Sequence, residues 1–246
     1  MIRKGVKKIM KKKTIEARCE IVKNEDVKEL YLYGPVLNSL PWYDDNSDNY
    51  IYPQKIKSFL DELGGEDIKV RINTNGGDVF AGLAIYNQLK DYKGNVDIKI
   101  DGIAASAGSV IAIAGDTIDP GVNGMMMIHS PLTYTFGNAK DLRAAADALE
   151  KIESSIIATY MTKFKGTEDE LRALMEAESY LTAEECVALG FADEITRVDD
   201  TQSNEDVKNS IVSKYIALRD EKIVASNEEP KTEGSFFMNK IKGDVK

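Results

Sequence analysis

Apolar and polar residues alternate along 67–74, "DIKVRINT", with Ile68, Val70 and Ile72 on one side, and this period of two predicts a strand. Over 79–92, "VFAGLAIYNQLKDY", the period lengthens: Val79, Leu83, Tyr86 and Leu89 fall at helical spacing and predict a helix with that face turned inward. Extended segments are expected within 14–37 ("TIEARCEIV", then "VKELYLYGPV"), at 95–101 ("NVDIKID") and at 125–130 ("MMMIHS"). Residues 38–52 read as a loop, and Pro53 suits the first turn of a helix running to Leu63 and closed by Gly64-Gly65. The stretch 101–116, "DGIAASAGSVIAIAGD", supplies a short helix that is apolar all round and therefore buried. Strand and helix alternate repeatedly, so the class is α/β with largely parallel strands.

The second half of the chain reads as mostly helical. Asn138 can cap a long helix with Asp141 at its third position. Leu142, Ala145, Leu149, Ile152, Ile156 and Tyr160 form a stripe along it, and Gly166 can end it. A helix over 139–165 is roughly 40 Å long, more than a compact domain of this size spans. Either part of it projects and buries its stripe against another chain, or it lies across its own core. The capping boxes Thr167-x-x-Glu170 and Thr182-x-x-Glu185 each start a short helix, the second ending at Gly190. Beyond about Val198 the texture turns polar, with one more helix possible over 207–224. The expected organisation is a basic arm and first extended segment over 1–24, one domain over 25–198 and an appendage over 199–246.

Charge and composition remove several function classes. The net charge is −9, and no basic stripe follows the opening "MIRKGVKKIMKKK", so nucleic acid is not an expected partner. No run of 18 apolar residues occurs, and the start lacks the apolar core of a signal peptide, so neither a membrane span nor export is expected. Two distant cysteines, Cys19 and Cys186, suggest neither a zinc site nor a disulfide framework and fit a reducing cytoplasm. Histidine occurs once, so a two-histidine metal site is excluded and any imidazole base must be His129. No cofactor and no metal are expected.

Within 101–116, Ser106 follows a strand and opens a helix, where its side chain is exposed and the next main-chain N–H groups lack intrahelical partners. Those donors suit a developing negative charge, and Ala104, Ala105, Ala107 and Gly108 leave room for a substrate carbonyl. The nucleophile-elbow motif G-x-S-x-G is only half present, because position 104 is Ala; the plain alternative is close packing of a buried helix. One unit earlier, "NTNGGD" places Gly76-Gly77 at the same strand-to-helix position, where a main-chain N–H can turn toward a ligand. Gly77 and Ala107 are thus candidates for the two donors of an oxyanion hole, unless this is an ordinary turn. His129 ends a strand of the same α/β unit, the region where active sites gather.

Four blocks, "INTNGGDVFAGLAIYNQL", "DGIAASAGSVIAIAGD", "MMMIHSPL" and "MEAESYLTAEECVALGFADEI", resemble in order the proteolytic subunit of the Clp protease, over about residues 25–198. The closest likeness is to its bacteriophage prohead, or head-maturation, branch. The resemblance implies a Clp protease/crotonase-like fold of repeated β-β-α units with a long projecting handle helix. It implies Ser106 as nucleophile, His129 as general base, and the Gly77 and Ala107 N–H groups as oxyanion donors. Cellular subunits carry Asp before the aromatic-Leu-Ser/Thr-Ala block; this chain has Glu178, one methylene longer, with Glu176 as the alternative acid.

The implied activity is peptide-bond hydrolysis through an acyl-enzyme, inside one ring of seven or two stacked rings of seven, fourteen subunits in all. Protein or peptide substrates, a Clp ATPase, or phage capsid and scaffold proteins are the implied partners. The ATPase-docking sequence of cellular subunits is not recognisable in residues 1–24, and "LNSLPWYDDNSDNY" fits the phage-type pattern. Two other readings use the same fold: a crotonase-like acyl-CoA enzyme, which needs no Ser–His pair, and an inactive structural member of a capsid assembly. Ser109 is the next candidate should Ser106 not be the nucleophile.

Overall fold

A computed structural model describes residues 17–23, 28–44, 46–193, 195 and 204–227, with side chains of the last segment described over 208–220. The parts of the sequence reading that fall on 1–16 and 228–246 lie outside the described residues. The alternation of Ile68, Val70 and Ile72 becomes β3 (Ile68–Thr74), an inner strand of a seven-stranded sheet. It lies between β2 (Lys28–Tyr33) and β4 (Val96–Ala105), both parallel to it. The antiparallel β1 (Arg18–Lys23) closes one edge.

Leu30, Leu32, Val70, Ile72, Ile98 and Ile100 point to one side of the sheet and are buried. They are covered by α1 (Pro53–Leu63), through Ile56, Leu60 and Leu63, and by α2 (Val79–Lys90). The α1 helix begins at Pro53 and stops at Gly64, whose left-handed φ of 66° returns its N–H to the Leu60 carbonyl. The other side of the sheet is polar: the Tyr33 hydroxyl and Arg71 Nε both donate to Asp101 Oδ2, at 2.6 and 2.7 Å.

Three expectations change. The face of α2 that is fully buried is Ala81, Gly82, Ile85 and Leu89, while Val79, Leu83 and Tyr86 sit at its partly buried margin. The helix is pressed so closely onto the next unit that only small residues fit: a Cβ on Gly82 would stand 3.0 Å from the Ala107 Cβ. Spacing alone favours the larger side chains and so rotates the face.

The second change concerns β4, which runs on from 101 to Ala105 and takes in the first part of the small-residue stretch. Its length lets two strands share it. Asp97–Lys99 pairs with the short β5 (Thr117–Asp119), and Ile103–Ala105 pairs with β6 (Met125–Ile128). Neither β5 nor β7 (Ser179–Leu181), which pairs antiparallel with β6 and ends the sheet, is long enough to show a period.

The third change is the end of the long helix. α4 (Ala139–Tyr160) starts at the predicted Asn138/Asp141 capping box but stops at Tyr160. Phe164 turns inward to stack on Phe191 with ring centroids 5.4 Å apart, and burying that ring takes the chain off the helical path before Gly166. The helix is still roughly 33 Å long. Only Ile156, Ile157, Thr159 and Tyr160 are fully buried on it, and Leu142 remains 46% exposed, so its first half stands away from this chain's core. The helices α5 (Glu168–Glu176) and α6 (Ala183–Leu189) both carry the expected capping boxes, and Gly190 ends α6. The last described helix, α7 (Asn204–Asn227), lies against α5 and α6. No helix among the described residues is long and apolar enough to cross a membrane.

Candidate active site

Ser106 sits between the end of β4 and α3 (Ala107–Ala112), with φ 55° and ψ −123°. A residue with a Cβ avoids this region, because the side chain crowds the neighbouring carbonyl. The turn holds because its surroundings fix it. The Ser106 N–H donates to the Met127 carbonyl of β6 at 2.9 Å, and the Ser106 carbonyl accepts from the Ser109 hydroxyl at 2.6 Å. This is the geometry of a nucleophile elbow, reached although Ala104 stands where that motif has glycine.

Of the glycines packed at the elbow, Gly76 comes from elsewhere in the chain, and Gly108 is the second glycine of the half-present motif. A Cβ on Gly76 would meet the Ala105 carbonyl at 2.5 Å and the Ala107 nitrogen at 2.8 Å. A Cβ on Gly108 would stand 2.4 Å from Thr74 Cγ2. The small residues therefore serve both readings of the sequence at once: they allow close packing, and that packing exposes Ser106 in a strained turn.

His129 follows β6, and its Nε2 lies 2.8 Å from Ser106 Oγ. The strands β4 and β6 are parallel neighbours in register at Ala105 and Met127, so the residues just past their ends emerge side by side. Burial pushes the His129 pKa below its ordinary value, and the Glu178 carboxylate pushes it back up. Glu178 precedes β7, beside β6, and its φ is 56°. Ser106 and Glu178 are the two non-glycine residues with positive φ among those described. Both belong to the predicted constellation. Glu176, the alternative acid, is turned to Arg219 of α7, with Oε2 3.8 Å from its Nε.

The two predicted donors border the same cavity as Ser106 and His129, a space of about 630 Å³. Val36 binds the Gly76 carbonyl and the Asp78 N–H, both at 2.9 Å, so the Gly77 amide between them faces away from that bridge. Ala107 is the first residue of α3, and its N–H has no intrahelical acceptor. The cavity wall beyond them is largely apolar, with Val110, Leu149, Ile152, Ile156 and Tyr180 among its residues.

Several residues that hold this arrangement carry no sequence signal. Thr74 is buried; its hydroxyl donates to the Gly34 carbonyl at 2.5 Å and accepts from the Gly76 N–H at 2.9 Å, fixing the glycine turn. Ser130, beside His129, donates to Glu153 of α4 at 2.5 Å, and Arg172 of α5 donates to the other oxygen of that carboxylate at 2.9 Å. Ser109 is fully buried, which removes it as the alternative nucleophile in this structure. The Thr74–Gly34, Ser130–Glu153 and Arg172–Glu153 links join residues 40, 23 and 19 positions apart in the chain, where only a three-dimensional arrangement could reveal them.

The α/β architecture and the Ser–His pair at a strained strand-to-helix turn define a serine-type hydrolase. The family model described as Clp protease matches residues 44–199. The chain belongs to that family. Among curated proteins it is similar to the ATP-dependent Clp protease proteolytic subunit of Streptococcus gordonii, 33% identical over 171 residues, covering 68% of this chain and 83% of the relative. The protein of the same name from Bacteroides fragilis is 31% identical over 156 residues, covering 62% and 74%. That of Deinococcus radiodurans is 31% identical over 141 residues, covering 56% and 68%.

Proposed function

We propose that this chain is a serine endopeptidase in which Ser106 is the nucleophile, His129 the general base and Glu178 the residue that orients the imidazole. The observation that carries the reading is the 2.8 Å approach of His129 Nε2 to Ser106 Oγ, at the mouth of an apolar cavity bordered by Gly77 and Ala107. His129 Nε2 takes the proton as Oγ attacks the scissile carbonyl carbon, and the N–H groups of Gly77 and Ala107 hold the oxyanion. Collapse breaks the C–N bond, and the leaving amine takes the proton from Nε2. Water then attacks the ester, again giving a proton to His129, and Ser106 recovers it as the carboxylic acid leaves.

The assembly reading is a ring-forming oligomer built through the first half of α4 and the segment before it. Leu132, Tyr134 and Phe136 are 68%, 98% and 97% exposed, more apolar surface than a lone chain leaves in water on one strap. The relatives' name makes them ATP-dependent, and we extend to this chain a partner ATPase that delivers unfolded protein. The capsid-maturation setting draws its support from the likeness of the four sequence blocks to the phage branch and from "LNSLPWYDDNSDNY" over 37–50. A cytoplasmic location is favoured by Cys19 and Cys186, both free and buried.

Fluorophosphonate labelling followed by peptide mapping tests the reading. Ser106 is expected to carry the label, and Ser106→Ala to abolish both labelling and peptide cleavage, a loss on the order of 10⁶ in kcat. Labelling retained in that variant, or acyl-CoA turnover without labelling, would overturn the assignment.

A further inference from the structure

The Clp family match ends at residue 199, and α7 (Asn204–Asn227) lies beyond it. Yet α7 is joined to the domain. Ile211, Val212 and Tyr215 lie on one face, at helical spacing, and are buried against the α5–α6 side of the domain. The hydroxyl at the tip of the Tyr215 ring donates to the main-chain oxygen of Tyr180 at 2.7 Å. Arg219, one turn further along, reaches Glu176 at 3.8 Å.

Tyr180 is the middle residue of β7, the last strand of the sheet, which pairs with β6 on one side. The outer edge of such a strand offers main-chain groups with no strand to receive them. Tyr215 supplies a donor there in place of a further strand. Three features of the site depend on where β7 lies. Glu178 immediately precedes it, held in a left-handed conformation. The Tyr180 side chain borders the cavity. On its inner side, Tyr180 is the register partner of Met127, whose carbonyl receives the Ser106 N–H.

We infer that α7 is a positioning element of the active site and that Tyr215, through its hydroxyl, is the positioning residue that fixes the edge strand carrying Glu178 and Tyr180. The catalytic consequence rests on the serine-endopeptidase reading; the anchoring of β7 does not. A phenol is already protonated at neutral pH, and burial pushes the Tyr215 pKa higher still, so it remains a donor. Among the described residues, Glu178 is the charged group that acts on His129, so loosening β7 weakens the influence that raises the imidazole pKa.

The test uses the full-length chain and Tyr215→Phe, which keeps the buried ring and removes one hydroxyl. Hydrogen exchange is measured across the amides of 178–181 and 126–129, with those of β2 and β3 as reference. Exchange is expected to rise about fivefold at β7 and the end of β6 and to stay unchanged in the reference strands. The fluorophosphonate labelling rate is expected to fall severalfold, with its acid limb moved to lower pH. Unchanged exchange at β7, or a uniform rise over the whole domain, overturns the anchoring. Faster exchange with an unmoved labelling profile overturns the positioning role. A wild-type chain that takes no label overturns the endopeptidase reading and the catalytic consequence with it, while the exchange data still decide the anchoring.

Discussion

The hydroxyls of Ser109 and Tyr160 lie 2.8 Å apart in the interior, and Ser109 passes its own proton to the main-chain oxygen of Ser106. Each hydroxyl has one proton, so Tyr160 must be the donor of the pair. The end of α4 is thereby tied to the strained turn that presents Ser106. Ser109→Ala leaves the fully buried Tyr160 hydroxyl without its acceptor, at a cost of about 1–3 kcal/mol. Tyr160→Phe removes the donor and keeps the Ser109–Ser106 bond, at a cost of about 1 kcal/mol. Urea unfolding with unchanged m-values should rank the variants in that order. Both should still label at Ser106, and loss of label in Ser109→Ala with an intact fold would return Ser109 to the list of nucleophiles.

The pH dependence has a definite sign. Burial lowers the His129 pKa below 6.5, so at neutral pH the imidazole is already the free base. The labelling rate should rise through a pKa below 6.5 and stay level above it. The Glu178 charge acts in the raising direction, so Glu178→Gln should move this limb to still lower pH. The plateau should fall roughly 10²–10⁴-fold as the ring loses its orientation. A limb that moves upward in Glu178→Gln would contradict the role given to this carboxylate. The unfolded chain takes up this proton near 6.5 and the folded chain only at lower pH, so stability is lost as pH falls from 6.5 through the lowered folded-state pKa of His129.

Gly76→Ala should disable the site more completely than the size of a methyl group suggests. The added Cβ falls 2.5 Å from the Ala105 carbonyl and 2.8 Å from both the Ala107 nitrogen and Ser106 Cβ, and φ is 87°. Neither main-chain neighbour can yield without moving the elbow. Labelling should be lost even where circular dichroism shows a folded chain; normal labelling kinetics would show the turn to be more pliant than described.

Assembly provides a further check. Tyr134→Asp together with Phe136→Asp places charge on two side chains that are almost wholly exposed in the single chain, so the subunit itself should be destabilised by less than about 0.5 kcal/mol. Light scattering should nevertheless show the wild-type oligomer reduced to smaller species. An unchanged molar mass would place the interface elsewhere.

Much of this architecture is legible in local periodicity. Ile68, Val70 and Ile72 announce β3, and Pro53 with Gly64 brackets α1, because strand alternation and helix capping are properties of neighbouring residues. The capping boxes at Asn138, Thr167 and Thr182 are legible for the same reason. The buried face of α2 is not, since it is chosen by the close approach of Gly82 to Ala107, a contact between separate units. Of the site, Ser106, His129, Gly77 and Ala107 could be named because each stands at a strand-to-helix boundary or strand end. Thr74 and Tyr215 could not: each hydroxyl answers to a carbonyl far away in the chain, and no period encodes such a partner.

The left-handed backbone at Glu178 sets local comfort against usefulness. An L-residue pays about 1 kcal/mol or more to adopt that conformation, and asparagine bears it more easily. Drift under pressure for robustness alone therefore runs toward replacing the carboxylate, and descendants chosen only for heat tolerance should shed the acid first. On the proposed reading, a glutamate kept here is a local cost borne for its charge beside the imidazole.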